Sequence, residues 1–159
     1  MKAPRIRWGM LGGGAKSLIG IVHRIAADMG DDYHLVGGVF SSKTAASAEF
    51  ARDLELDPRR AYPDVDTLIA GETALPPDQR MRLVTIATPN SLHYDEAVKL
   101  VSAGFHVLCE KPVTTSVARE SRQAYEVCAL SRPRCGPPRP ATNGALHEHQ
   151  LRYGSRPNP

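Results

Sequence analysis

Apolar residues occur in two patterns that alternate along the chain. Short continuous apolar runs alternate with stretches in which apolar positions recur every three or four residues. Ile6 to Leu11 is a run that ends in glycines, and it predicts a buried first strand. Leu18, Ile21, Val22, Ile25 and Met29 recur at helical spacing, so Leu18 to Met29 predicts a helix with Gly30 as its stop. His34 to Phe40 predicts the second strand. Ser42 can cap a helix from about Ala45 to Leu54, which Asp57-Pro58 ends. After Pro63, Val65 to Ala70 predicts a short helix, and Gly71 to Gln79 reads as a polar loop. Leu83 to Thr88 predicts a third strand, ending at Pro89-Asn90. Ser91 can cap a helix with an apolar face of Leu92, Ala97, Leu100 and Val101, and Gly104 stops it. Phe105 to Cys109 predicts a fourth strand. Thr115 or Ser116 then opens a last helix to about Ala129.

Strands alternating with helices across short loops predict an α/β domain, a doubly wound parallel sheet covered on both faces. This domain is expected to occupy residues 1–130. The pattern stops near Ser131. From Ser131 to Pro159 there is no Val, Ile, Phe, Met, Lys or Asp, while prolines stand at 133, 137, 138, 140, 157 and 159. Such a stretch cannot bury enough apolar surface to offset its ordering entropy, so residues 131–159 are expected to form a disordered tail. A natural flexible terminus is one explanation. Out-of-frame translation is the favoured one, because the change falls inside an αβ unit and leaves the next strand missing.

Composition adds exclusions more than assignments. The 159 residues suit one domain with a core. The net charge of +3 owes much to arginines in the tail and does not argue for nucleic acid. No apolar run reaches the roughly eighteen residues of a membrane span, and the charged start flows into a strand, unlike a signal peptide. Three cysteines without framework spacing favour reduced thiols and a cytoplasmic location. His147 and His149 have no matching ligand cluster, so no metal site is expected.

Gly12-Gly13-Gly14 sits at the first strand-to-helix turn. Glycines there let the backbone approach a pyrophosphate, and the first helical turn offers free N–H groups and the positive end of the dipole. Gly12 and Gly14 fit the first two positions of the dinucleotide fingerprint. The third falls on Ser17, or on Gly20 if Ala15-Lys16-Ser17 is an insertion; Lys16 or Ser17 would then lie beside the phosphates. At the end of the second strand, where a carboxylate would hold the ribose of NAD, the chain has Ser41-Ser42-Lys43. Hydroxyls with a cation suit a 2′-phosphate, which tilts the expected cofactor toward NADP over NAD. Alternatively the serines cap the next helix and Lys43 is simply solvated.

Thr88-Pro89-Asn90 with His93, and Glu110-Lys111-Pro112, end the third and fourth strands, where open α/β sheets bind ligands. A lysine at the nicotinamide end can hydrogen-bond a substrate hydroxyl and stabilise developing negative charge. These segments, with Ile19-Gly20-x-x-His23 and Gly104-x-His106, resemble the amino-terminal domain of the Gfo/Idh/MocA oxidoreductases over about residues 5 to 130. The resemblance implies a Rossmann domain binding NAD or NADP, with chemistry on a sugar or cyclitol hydroxyl. It implies that Gly12, Gly14 and Gly20 shape the pyrophosphate site. Thr88, Pro89, Asn90 and His93 would line the ribose and nicotinamide side, flanked by Glu110 and Pro112. Lys111 would position the cofactor and serve catalysis.

The resemblance also implies a second domain that supplies most substrate contacts, a catalytic histidine and much of the oligomer interface. No match to it is seen, and the tail histidines are not assigned catalysis. The Rossmann sheet is therefore expected to be incomplete. A small polyol or sugar would be turned over only if a second domain is supplied. A non-catalytic dinucleotide-binding fragment and a non-functional truncated product are the competing readings.

Overall fold

A computed structural model describes residues 4–113. Four parallel strands form one sheet in the order β2-β1-β3-β4: β1 (Ile6–Gly12), β2 (Tyr33–Val39), β3 (Leu83–Ala87) and β4 (His106–Cys109). Helices α1 (Leu18–Gly30), α2 (Thr44–Asp53), α3 (Val65–Ala74) and α4 (His93–Ser102) connect them, with a 3-10 turn at Pro58–Arg60. β1 is central, pairing Trp8 to Gly12 with Leu83 to Ala87 on one side and Ile6 to Leu11 with β2 on the other. The carboxyl ends of β1 and β3 therefore lie side by side, which places the glycine turn next to Thr88.

Alternation along β1 divides its side chains between two cores. Leu11 joins Val36, Leu68, Val84, Ile86, Ala97, Leu100 and Phe105 under α3 and α4. Trp8 and Met10 join Phe40 and Ala51, with Ala27 of α1 and Phe50 and Leu54 of α2 packed against them. The sheet is thus covered on both faces, as a doubly wound Rossmann-like architecture requires.

Several local expectations are revised. α3 continues through Gly71 to Ala74 where a loop was expected from Gly71. Gly71 lies against the Tyr62 ring, where a Cβ would come within 2.6 Å, and the next residue, Glu72, is fully buried. Long-range packing thus overrides the weak helical signal of Gly71. The serines expected as caps of α2 and α4 do not serve: Lys43 and Leu92 stand at those positions without a side-chain cap. Ser17 does cap α1, its Oγ accepting the Gly20 amide at 3.1 Å. α1 ends on Asp31 in the left-handed conformation, one residue past the expected stop at Gly30.

The apolar stripe of α1 is also turned outward. Leu18 is 79% and Met29 84% exposed, while Gly20 is buried and Ala27 packs on the core. Small residues at seven-residue spacing let this face of the helix approach the sheet closely, so they set its orientation. The helix expected from Thr115 or Ser116, the 131–159 tail and its histidines lie outside the described residues.

Candidate dinucleotide site

A cleft of about 830 Å³ opens at the carboxyl ends of β1, β2 and β3. Its floor is the glycine turn. Gly12 and Gly13 have φ of 75° and 70°, a backbone region costly for other residues. A Cβ on Gly12 would lie 2.4 Å from the Ala87 carbonyl oxygen, and one on Gly14 would lie 2.3 Å from that of Phe40. Gly20 lies outside the cleft lining but beneath the turn, where its Cβ would come within 2.4 Å of the Gly13 Cα and carbonyl oxygen. The first turn of α1 therefore rests directly on the glycine loop, at the helix end where amides have no intrahelical partner. Gly20 is thus the glycine on which α1 packs against the turn, and Ser17 is the cap. Arg24, one turn along, donates to the Gly13 carbonyl at 2.5 Å while its guanidinium stacks on Phe50.

One wall of the cleft is the β2 end, with Ser41, Ser42 and Lys43, backed by Ala46 and Phe50 of α2. Ser41 Oγ accepts the Lys43 amide at 3.1 Å, which leaves its hydroxyl proton available. Pro63, Asp64 and Val65 close the side. Asp64 is the carboxylate of that region, and it is engaged as the α3 cap: Oδ1 accepts from the Thr67 amide and hydroxyl, both at 2.7 Å. These hydrogen bonds hold the Asp64 carboxyl below its ordinary range.

The other wall is Ala87, Thr88, Pro89, Leu92 and Glu96. Thr88 donates through Oγ1 to Glu96 Oε2 at 2.5 Å. Burial raises the Glu96 carboxyl above its ordinary range, partly opposed by the Thr88 hydrogen bond. Asn90 lies in the turn into α4, where its carbonyl accepts the His93 amide at 3.4 Å. The His93 ring is buried and faces the interior, its nitrogens against the carbonyls of Thr88 and Pro112. It braces the wall from behind.

Glu110, Lys111 and Pro112 follow β4. The Glu110 amide donates to Ile86 at 3.0 Å, extending the β3–β4 ladder to the motif. Lys111 and Pro112 are exposed and joined by a cis peptide bond. Glu110 Oε1 lies 2.7 Å from His23 Nε2 of α1, which ties this loop to the helix under the glycine turn. Gly12, Gly14, Ser41, Lys43, Thr88 and Pro89 therefore share one cleft, and Glu110-Lys111-Pro112 stands at the neighbouring strand end. Glycine spacing does not reveal Arg24 or Glu96, whose partners Gly13 and Thr88 lie 11 and 8 residues away, nor Asp64, which only the fold brings to the cleft.

The match of the whole strand-and-loop pattern decides the family. Residues 6–132 match the model of the Gfo/Idh/MocA oxidoreductase family, NAD-binding Rossmann fold. The chain belongs to this family. It comprises the family's amino-terminal NAD(P)-binding domain. It is 35% identical over 127 residues to the uncharacterized oxidoreductase YfiI of Bacillus subtilis, covering 79% of this chain and 31% of that protein. It is 28% identical over 115 residues to the scyllo-inositol 2-dehydrogenase (NADP(+)) IolW of Bacillus subtilis, covering 72% and 28%. A crystal structure of an inositol dehydrogenase homolog from Azotobacter vinelandii, complexed with NADH and myo-inositol, superposes with a TM-score of 0.74 at 38% identity, covering 82% of this chain and 34% of that one. The chain thus spans about a third of the length of these relatives. No helix among the described residues is long and apolar enough to cross a membrane.

Proposed function

We propose that this chain binds NADP in preference to NAD and forms the cofactor half of a dehydrogenase acting on a sugar or cyclitol hydroxyl. The observation that carries the cofactor preference is the β2 wall. Ser41 and Lys43 border the cleft there, and the carboxylate of that region, Asp64, is bound up in capping α3. A 2′-phosphate would meet a cation and a hydroxyl donor in place of an acceptor that repels it. The pyrophosphate would lie over Gly12 and Gly14, with Gly20 holding α1 close enough to offer its amides. Thr88, Pro89 and Asn90 would border the ribose and nicotinamide side, with His93 supporting them from the interior.

When bound, the dinucleotide supplies the hydride chemistry. The chain's part would be to orient it and to place Lys111 at the nicotinamide end, where its ammonium can hydrogen-bond a substrate hydroxyl and stabilise developing charge. Glu110 and Pro112 would set the position of that lysine. The relatives that act on scyllo-inositol or are complexed with myo-inositol support a cyclitol or sugar as the substrate class. A cytoplasmic location accords with this chemistry.

Calorimetric titration with NADP and NAD tests the reading. Tighter binding of NADP, reduced at least about tenfold in Lys43→Ala while NAD is unaffected, is the expected result. Equal affinities, or a preference for NAD, overturn the cofactor choice. Turnover of a polyol panel by the chain, or by the chain with a supplied substrate domain, tests the dehydrogenase role. Binding without turnover in both settings leaves a dinucleotide-binding module.

A further inference from the structure

The loop carrying Lys111 is anchored by histidines on both sides. His23 holds Glu110 from α1. His93, at the first position of α4 and 1% exposed, has Nδ1 2.8 Å from the Pro112 carbonyl oxygen and Nε2 2.8 Å from the Thr88 carbonyl oxygen. Both partners are backbone carbonyls, which can only accept. A neutral imidazole carries one N–H, so it can satisfy one carbonyl while aiming a ring lone pair at the other. Inverting the ring gives no escape, since it would set carbon atoms against both oxygens. Only the imidazolium donates from both nitrogens at once.

The surroundings supply a counter-charge. The amino end of a helix disfavours a cation, yet Glu96, three residues on, interacts electrostatically with His93. Glu96 also accepts from the Thr88 hydroxyl. Thr88 is therefore held twice, through its carbonyl by His93 and through its hydroxyl by Glu96. Glu96 lines the cleft, so the charge balance of this buried strap reaches the cofactor site.

We propose that His93 is a doubly protonated positioning residue that straps the Lys111-Pro112 loop to the end of β3, with Glu96 as its counter-ion. The part of this concerning Lys111 rests on the catalytic reading of that residue; the protonation and the strap do not. The strap fixes the separation between the Thr88 wall and the lysine loop, the two edges between which a nicotinamide would lie.

Ring nitrogen chemical shifts of the 15N-histidine-labelled chain provide the test, with His93 assigned through its own Cβ protons so that no variant is needed. At neutral pH the His93 ring is expected to show two protonated nitrogens. One bare, pyridine-type nitrogen at His93 overturns the proposal. His93→Gln, whose single amide NH₂ cannot bridge both carbonyls, is expected to shift the Lys111 and Val113 amides while those of Gly12 to Gly14 stay put. It is also expected to weaken NADP binding about three- to tenfold. Unchanged Lys111 and Val113 amides in a folded His93→Gln chain also overturn the strap. A doubly protonated His93 alongside a Lys111→Ala chain with unaltered turnover in the presence of a supplied substrate domain would retain the strap and remove the catalytic reading of Lys111.

Discussion

Gly20→Ala isolates the contact between α1 and the glycine loop. The new Cβ would lie 2.4 Å from both the Cα and the carbonyl oxygen of Gly13. Both are backbone atoms, so no rotamer change relieves the clash. Restoring a contact of about 3.4 Å requires the helix and loop to part by about 1 Å. Overpacking of this kind costs about 1–3 kcal/mol, and the better helix propensity of alanine returns about 0.5–1 kcal/mol. Stability should therefore fall only modestly, by about 1 kcal/mol, or roughly 5 °C in Tm for a domain of this size.

Binding should suffer more than stability in Gly20→Ala. Hydrogen bonds from backbone amides to a charged phosphate contribute about 1.5–3 kcal/mol each, and a loop displaced by about 1 Å would weaken at least one of them. The expected rise in dinucleotide Kd is about 10- to 100-fold at about 1.4 kcal/mol per decade. Calorimetric titration and thermal unfolding, run on the same samples, separate the two effects. Gly30→Ala, at the far end of the same helix, is the control: its Cβ would approach only the flexible Asp32 carboxylate, at 3.3 Å. A Gly20→Ala chain that binds within twofold of the parent while losing stability would refute the reasoning, because the loop would then be a packing feature and not a phosphate cradle.

Glu72 is fully buried and accepts from Arg60 Nε and Nη2 at 2.9 and 2.6 Å, from the Tyr62 hydroxyl at 2.8 Å and from the Met81 amide at 2.8 Å. Glu72→Ala strands these donors, and breaking such a pair costs about 3–5 kcal/mol; Tm should fall by more than about 12 °C, and a smaller fall by calorimetry would show that water replaces the carboxylate. Burial, aided by the charges of Glu96 and Glu110, pushes the Cys109 thiol up to about 11. At pH 8 its thiolate fraction is then on the order of a hundredfold below that of a free cysteine, so mass spectrometry should find Cys109 alkylated correspondingly slowly, and glutathione-like rates would contradict its burial. The raised Glu96 carboxyl makes the folded chain bind more protons than the unfolded one between their two pKa values. The Glu96 contribution to stability is therefore present below the unfolded value and is lost as pH rises through the folded value. Glu96→Gln should flatten that part of the Tm-versus-pH curve, and an unaltered curve would assign the dependence elsewhere.

The strands were readable because each is an apolar run closed by glycine, proline or a polar turn, and all four stand within a residue or two of their expected limits. The cleft was readable for a related reason: in a parallel sheet, motifs at strand ends converge without any knowledge of side-chain contacts. α1 was harder. Its apolar spacing predicts the helix but not the face it buries: Gly20 and Ala27 decide its orientation, because closeness of approach to the sheet outweighs the apolar stripe there. The full length of α3 depends on Glu72, whose partners Arg60 and Met81 lie 12 and 9 residues away. The His23–Glu110 tie spans 87 residues, a separation at which no local pattern carries information. His93 was picked out by its motif, yet its orientation toward two carbonyls emerges only once β3 and the Pro112 loop are in place.

The chain has a single tryptophan, Trp8, which is 4% exposed in the middle of the central strand. Its indole Nε1 donates to Thr85 Oγ1 at 2.8 Å, across the β1–β3 pairing. At about 3.3 Å per residue, Trp8 lies about 13 Å along the strand from Gly12. The protein therefore carries one built-in optical reporter, set in the sheet and a short transfer distance from the glycine turn. Its emission maximum would register whether β1 and β3 are paired. Its quenching by a reduced nicotinamide, which absorbs where indole emits, would register occupancy of the cleft. Folding and cofactor binding thus become separable signals from one side chain, with no label attached.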